Sequence, residues 1–167
     1  MTEKLLQMVD IAAAFVPVDM QTADNNGDWV DMAKYDKMLA VLFKGIGTAA
    51  DDPVFKLQQA DSKTGGNAKD LKFDVIYSKV GATALNAVGQ FTRTTQTAAT
   101  SYTDAASAEN EAIIAVEIQA SDLDMANGFQ FVQLSIANIG GNAQLGGGFY
   151  IMFGARYKAE AMPSALG

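Results

Sequence analysis

The feature that most constrains this chain is a series of short segments in which every second residue is apolar, separated by turns rich in glycine and asparagine. Ile114, Val116 and Ile118 fall on one side of an extended strand, and the residues between them fall on the other. Asn127-Gly128 is one of the turn signals that divide such segments. A helix would repeat its apolar positions every three to four residues, so this spacing predicts strands.

The sequence contains seven or eight such segments and few convincing helices. Many strands joined by glycine-rich turns are typical of a β-sandwich or barrel, and the wide spacing favours Greek-key or jelly-roll crossings over simple hairpins. With no internal repeat or linker, residues 1–167 are predicted to form a single antiparallel all-β domain. The predicted strands are 29–30, 38–43, 54–60, 71–77, 88–94, 112–119, 129–136 and 149–157.

Three segments depart from this pattern. Residues 1–16 carry apolar side chains spaced roughly as on one side of a helix, which predicts a short N-terminal arm. It either binds a partner or folds, as a short helix or strand, onto the domain's own core. Residues 94–110 are small and polar, which predicts a flexible loop that either orders on a partner or stays mobile. Residues 159–167 are predicted to be a frayed tail.

The chain contains no histidine and no cysteine. Their absence excludes histidine-based acid–base catalysis, Ser-His-Asp and Cys-His nucleophiles, thiolate zinc sites and disulfides. An enzyme built from this sequence would depend on carboxylates, lysine or tyrosine alone. We therefore expect no catalytic residues and no enzymatic function.

Two acidic motifs resemble ligand sites only superficially. Asp24 opens an Asp-Asn-Asn-Gly-Asp stretch, but a helical calcium loop counted from it needs glycine and glutamate where Trp29 and Tyr35 stand. Asp122 and Asp124 lie two residues apart, whereas paired catalytic acids must face each other across a bound sugar. Turn formation explains both motifs, and no metal site is predicted.

Charge and glycine content bear on cofactors, nucleic acid and membranes. Lys and Arg number 12 against 19 Asp and Glu, and this net charge of −7 argues against a face that grips phosphate backbones. The glycine-rich stretch 140–148 lacks the Gly-Lys-Ser/Thr ending of a phosphate loop, so no cofactor is predicted. Glu3 and Asp10 interrupt any signal-peptide pattern, and no apolar run approaches the roughly 18 residues of a membrane span. We expect a soluble protein made in the cytoplasm.

Aromatic side chains are the candidates for contact with a partner. Trp29, Tyr35, Tyr102 and Tyr150 are the predicted interface residues, because exposed aromatic rings offer platforms for proteins or sugars. The alternative is that most of them belong to the core or its edge.

A second sign of association comes from strands that are apolar on both faces. In the segment 38–43, Met38 and Leu42 lie opposite Leu39, Val41 and Phe43. Such a strand needs cover on both sides, and in a single domain of this size the second cover is often another subunit. This pattern favours a homo-oligomer.

Several stretches of the sequence look like small structural proteins of tailed bacteriophages, and together they run over most of the chain. None of them is a catalytic signature, and no binding residue is carried over from the family. The similar stretches are Gly-Asp-Trp-Val-Asp-Met at 27–32, Tyr-Asp-Lys at 35–37, Phe-Lys-Gly-Ile-Gly-Thr-Ala at 43–49, Leu-Gln-Gln-Ala at 57–60, Val-Gly-Gln-Phe at 88–91, Glu-Ile-Gln-Ala-Ser-Asp-Leu-Asp at 117–124, Gly-Phe at 128–129 and Gly-Ala-Arg-Tyr at 154–157.

The resemblance implies a virion component, most specifically a capsid decoration (cement) protein. Such a protein is made in the host cytoplasm, sits on the capsid exterior as a homotrimer, and binds the major capsid protein. Two other roles remain open at this stage. One is a tail-tube or head-completion protein, and the other is a carbohydrate-binding β-sandwich module that uses Trp29 and the tyrosines as stacking platforms.

Overall fold

The computed structural model of the chain describes residues 4–81, 84–105, 110–157 and 162–166. Within these ranges the regular structure is twelve strands and four short 3-10 turns, Leu5–Gln7, Leu85–Ala87, Ala120–Asp122 and Met125–Asn127. The strands are β1 (Val9–Asp19), β2 (Asn25–Asn26), β3 (Val30–Asp31), β4 (Tyr35–Lys44), β5 (Val54–Ala60), β6 (Lys69–Leu71), β7 (Phe73–Val80), β8 (Thr92–Ala99), β9 (Ser101–Thr103), β10 (Ala112–Gln119), β11 (Phe131–Ile136) and β12 (Leu145–Ala155).

The strands form two sheets in which the described pairs are antiparallel. Sheet A has the order β1-β12-β4-β10-β7-β8, and sheet B has the order β2-β11-β5-β6, with β3 also paired to β11 and β9 to β5. The chain passes between the sheets repeatedly, so neighbouring strands are rarely consecutive in sequence. The prediction of an antiparallel all-β sandwich is confirmed.

The core lies between the two sheets. Leu42, Ile114 and Tyr150 of sheet A join Leu57 and Leu134 of sheet B in one apolar cluster, and each is 0% exposed. Burying one such side chain contributes about 1.5–3 kcal/mol, so this layer supplies the main driving force for folding.

The N-terminal segment is a strand rather than an arm. β1 pairs with β12 from Val9 to Asp19 and buries Ala12 and Ala14. The prediction of a free arm or helix is therefore wrong for residues 9–16, and the alternative of a strand on the domain's own core describes them. Pro17 is tolerated because β1 is an edge strand, where a missing backbone donor breaks no ladder. Residues 1–3 lie outside the described residues.

The predicted flexible loop 94–110 is wrong over most of its length. β8 and β9 occupy much of it, while residues 106–109 lie outside the described part of the chain. β8 is the other edge of sheet A and most of its side chains are exposed, so threonine-rich sequence without apolar alternation suffices there. The predicted strand 88–94 overlaps β8 only from Thr92 onward.

The C-terminal segment is docked where it is described. The Asp31 N–H donates to the Ala165 carbonyl at 2.9 Å, and the Ala165 N–H donates to Asp10 Oδ2 at 3.0 Å. The Tyr35 hydroxyl also donates to the Pro163 carbonyl. The prediction of a frayed tail is therefore wrong for residues 162–166, and residues 158–161 and 167 lie outside the described ranges.

The burial of Tyr35 and Tyr150 predicts that the protein loses stability in alkaline solution. Burial, and secondly the Asp10 carboxylate, raise the pKa of Tyr35 from 10.0 to about 12. Burial likewise raises the pKa of Tyr150. These tyrosines ionise more readily in the unfolded chain than in the folded protein. Their contribution to the free energy of unfolding is therefore complete below about pH 10 and is lost as the pH rises through their pKa values in the folded protein.

Urea unfolding measured from about pH 8 to about pH 11 should show this fall, at up to about 1.4 kcal/mol per pH unit for each tyrosine. Tyr35→Phe should flatten the fall. An unfolding free energy that stays constant between about pH 9 and about pH 11 would contradict the prediction.

Candidate interaction surface

The two sheets present opposite kinds of outer surface. On sheet B, Ser135 lies directly across from Asn26 and from Lys56, and Gln58 lies across from Asp70. Ser135 Oγ donates to Asn26 Oδ1 at 2.7 Å, and Gln58 donates to Asp70 at 3.3 Å. This is the polar face that a solvated sheet normally shows.

The outer face of sheet A is apolar across four adjacent strands. Ile151 of β12 lies between Ile11 of β1 and Leu39 of β4. Val41 lies between Phe149 and Ala115 one pair further along. We call this surface the apolar face, and its residues are Val9, Ile11, Leu39, Val41, Phe43, Ile113, Ala115, Phe149, Ile151 and Phe153.

The centre of the apolar face is buried, and its periphery is exposed. Val41 and Ala115 are buried although they lie outside the core cluster between the sheets. Ile11, Phe43 and Phe153 around them are about half exposed, at 55%, 53% and 47%. A contiguous apolar surface of this kind on a folded domain marks an interaction site.

An ion pair lies beside one end of the apolar face. Lys37 Nζ lies 3.2 Å from Glu117 Oε1, and these residues occupy neighbouring positions of β4 and β10 at one end of the face. The pair is half exposed and adds little to stability.

A groove of about 530 Å³ lies at the other end of the apolar face. We call it the glycine groove, and its walls include Phe15, Val16 and Pro17 of β1, Phe43 of β4 and Leu145 and Phe149 of β12. Gly146, Gly147 and Gly148 leave its floor without side chains. Gly147 lies across from Phe43, and a Cβ added to it would come within 3.2 Å of the Pro17 nitrogen. The run of glycines therefore lets β1 lie close to β12 and keeps the groove open.

The four predicted interface aromatics do not share one exposed surface. Tyr35 and Tyr150 are 0% exposed, so the prediction that they contact a partner is wrong. Trp29 packs against Gly65, and Tyr102 packs on the core cluster from β9. The last two belong to the sheet B side of the molecule, so none of the four lies on the apolar face.

The acidic motifs form structural contacts. Asp24 Oδ1 accepts from the Asn138 N–H at 2.9 Å, and Asp122 Oδ2 accepts from the Gln119 N–H at 2.8 Å. Asp124 accepts from Lys69 Nζ at 2.5 Å, and this hydrogen bond is the main cause that lowers the Asp124 pKa. Across the described ranges, no three Asp, Glu, His or Cys side chains come together as a metal site would require.

Comparison with known proteins finds similarity among solved structures. No protein-family model and no curated protein matches the chain. The chain is similar to the crystal structure of the SPBc2 prophage-derived protein YomS, with a TM-score of 0.38 and 10% sequence identity, over 89% of this chain and 99% of that chain. At that TM-score the likeness by itself defines neither a shared fold nor a shared role. No helix in the part of the chain described is long and apolar enough to cross a membrane.

Proposed function

We propose that this protein is a non-enzymatic structural component of a tailed-phage virion, specifically a capsid decoration protein that binds the assembled head as a homotrimer. The observation that supports this proposal is the apolar face, a contiguous apolar sheet surface whose periphery is about half exposed. The sequence resemblance supplies the class of partner, the major capsid protein on the outside of the shell. Two of the four aromatic residues on which the carbohydrate-binding alternative relied, Tyr35 and Tyr150, are buried, which weakens that alternative.

The size of the apolar face fits weak, repeated binding. Four strands about 4.8 Å apart and about 20 Å long cover roughly 400 Å². A stable pairwise interface needs about 800 Å² on each partner, so one copy would bind weakly. Three linked copies would gain on the order of 10²–10⁴ in avidity. Because such a protein binds the lattice and not loose subunits, it stabilises the assembled shell.

Binding to shells that lack the protein tests this role. Ile11→Asp with Phe153→Asp should weaken binding by about 100-fold or more, because both carboxylates would be buried without partners. Thr64→Asp with Ala68→Asp adds the same charge in the exposed turn between β5 and β6 of sheet B and should bind like the wild type. All four positions are solvent-accessible, so both variants should fold.

Two results would overturn the proposal. One is wild-type protein that does not bind shells, and the other is equal binding by the Ile11/Phe153 variant. A tail-tube or head-completion role would instead appear as rings of six or twelve copies by native mass spectrometry.

A further inference from the structure

We propose that Asn127 is a site of spontaneous deamidation, at which the backbone nitrogen of Gly128 attacks the Asn127 side chain and water completes the conversion to aspartate or isoaspartate. The reaction takes place within the chain itself, so it does not depend on the proposed function. The chain contains two Asn-Gly sequences, Asn26-Gly27 and Asn127-Gly128. In both, glycine adds no Cβ that would hinder the attacking nitrogen, so the surrounding structure decides which of them reacts.

The reaction needs no reagent other than water. The Gly128 nitrogen forms a bond to Cγ of Asn127, the bond from Cγ to Nδ2 breaks, and the Gly128 amide hydrogen leaves with that nitrogen as ammonia. Water then opens the cyclic succinimide. Cleavage at Cγ gives aspartate, and cleavage at the backbone carbonyl gives isoaspartate. Either product carries a carboxylate where the chain had a neutral amide.

The turn that contains Asn127 is exposed and is held by short-range hydrogen bonds. Asn127 ends the 3-10 turn Met125–Asn127, and Gly128 follows it in the left-handed conformation, with φ at 84°. The Gly128 N–H donates to the Met125 carbonyl at 3.0 Å, and Asn127 Nδ2 donates to Asp124 Oδ1 at 2.8 Å. A Cβ added to Gly128 would meet no atom within 4 Å. Opening of this one turn therefore frees the attacking nitrogen, and no strand has to leave its sheet.

The same dipeptide at Asn26 is held between strands. Gly27 is buried, and its N–H donates to the Leu134 carbonyl at 2.8 Å. The Gly27 carbonyl accepts from Gln133 Nε2 at 2.5 Å. Asn26 pairs with Ser135, and its Oδ1 accepts from Ser135 Oγ at 2.7 Å. The Gly27 nitrogen is therefore freed only when β2 separates from β11, which costs more than opening an exposed turn.

Deamidation at Asn127 also changes the contacts of Asp124. This carboxylate accepts from the Asn127 amide on one oxygen and from Lys69 Nζ of β6 on the other. A carboxylate at position 127 has no hydrogen to donate, and its negative charge repels Asp124. The product therefore loses the contact that ties the side chain of residue 127 to Asp124.

Incubation of the full chain in mildly alkaline buffer, followed by peptide mass spectrometry of both Asn-Gly sites, tests the inference. In the folded protein, Asn127 should deamidate about 10-fold or more faster than Asn26. This ratio corresponds to about 1.4 kcal/mol or more of additional opening free energy at Asn26. In concentrated urea the two sites should react at similar rates, because neither retains its contacts.

A matched pair of variants connects the reaction to the acidic form of the protein. Ion exchange should separate this form from fresh protein, because it carries one more negative charge. Asn127→Gln should abolish the acidic form, since glutamine would have to close a larger and less favourable ring. Asn26→Gln should accumulate it like the wild type, and both positions are exposed, so both variants should fold.

Three results would each overturn the inference. They are an Asn127 that stays intact in the folded protein while it reacts in urea, equal rates at the two sites in the folded protein, and an acidic form that disappears in Asn26→Gln rather than in Asn127→Gln. Shell binding is a separate measurement, so a failure here leaves the capsid proposal to be judged by its own test.

Discussion

Replacing Leu57 by alanine should lower the free energy of unfolding by about 2–5 kcal/mol. Leu57 is 0% exposed, lies across from Leu134 and from Leu71, and belongs to the cluster between the two sheets. Truncation removes apolar contacts and leaves a cavity that surrounding strands, fixed by their ladders, fill only in part. Chemical unfolding in urea measures the loss directly.

Leu145→Ala is the matched control for this substitution. Leu145 is 66% exposed, so the same truncation should change stability by less than about 0.5 kcal/mol when measured at a concentration where copies are separate. Equal losses at Leu57 and Leu145 would show that the sandwich core is not where the structure places it.

Replacing Tyr150 by phenylalanine should cost about 1–3 kcal/mol, although it removes only one oxygen atom. The Tyr150 hydroxyl accepts from the Leu134 N–H at 2.7 Å and donates to the Asp28 carbonyl at 3.0 Å. The hydroxyl thereby links sheet A to the backbone of sheet B. It contacts β11 at Leu134, between the residues that pair with β2 and those that pair with β3. Phenylalanine leaves the buried Leu134 N–H without its hydrogen-bond partner, so the desolvation of that group is no longer compensated.

Tyr157→Phe provides the comparison for Tyr150→Phe. Tyr157 is 79% exposed, so loss of its hydroxyl should leave the urea midpoint unchanged within error. If Tyr150→Phe is as stable as the wild type, its hydroxyl does not join the two sheets. Gly27→Ala gives an independent check on the position of the Tyr150 hydroxyl, because the added Cβ would lie 2.7 Å from it.

Buried central strands were the most predictable part of the fold. The predicted segments 54–60 and 112–119 coincide with β5 and β10. Both strands have neighbours on each side and place apolar residues against the core, so burial enforces the period-two pattern that the sequence shows.

Edge strands were the least predictable part. β8 is exposed along most of its length, so nothing requires apolar residues at alternate positions, and its threonines resemble loop sequence. β1 failed for a different reason. Its residues 11–16 are an unbroken apolar run with three consecutive alanines, so alternation with polar residues is absent and helical spacing fits as well.

The sequence predicted only part of the candidate surface. The two apolar faces of 38–43 correctly indicated that sheet A is apolar on its outer side as well as its inner side. The aromatic prediction failed because residue type alone does not reveal direction, and Tyr35 and Tyr150 point inward on strands whose other face is the one exposed. The glycine-rich stretch 140–148 was visible in the sequence, but the groove was not, because it forms only when β1 and β12 come together.

The pairing of β1 with β12 also has a consequence for synthesis. Among the described strands these are the first and the last, yet they are neighbours in sheet A. While the chain leaves the ribosome, β1 has no ladder partner until β12 has been made. Closing so long a loop is slow, and an unpaired apolar strand is exposed to aggregation in the meantime. Completion of sheet A is therefore a late event in folding.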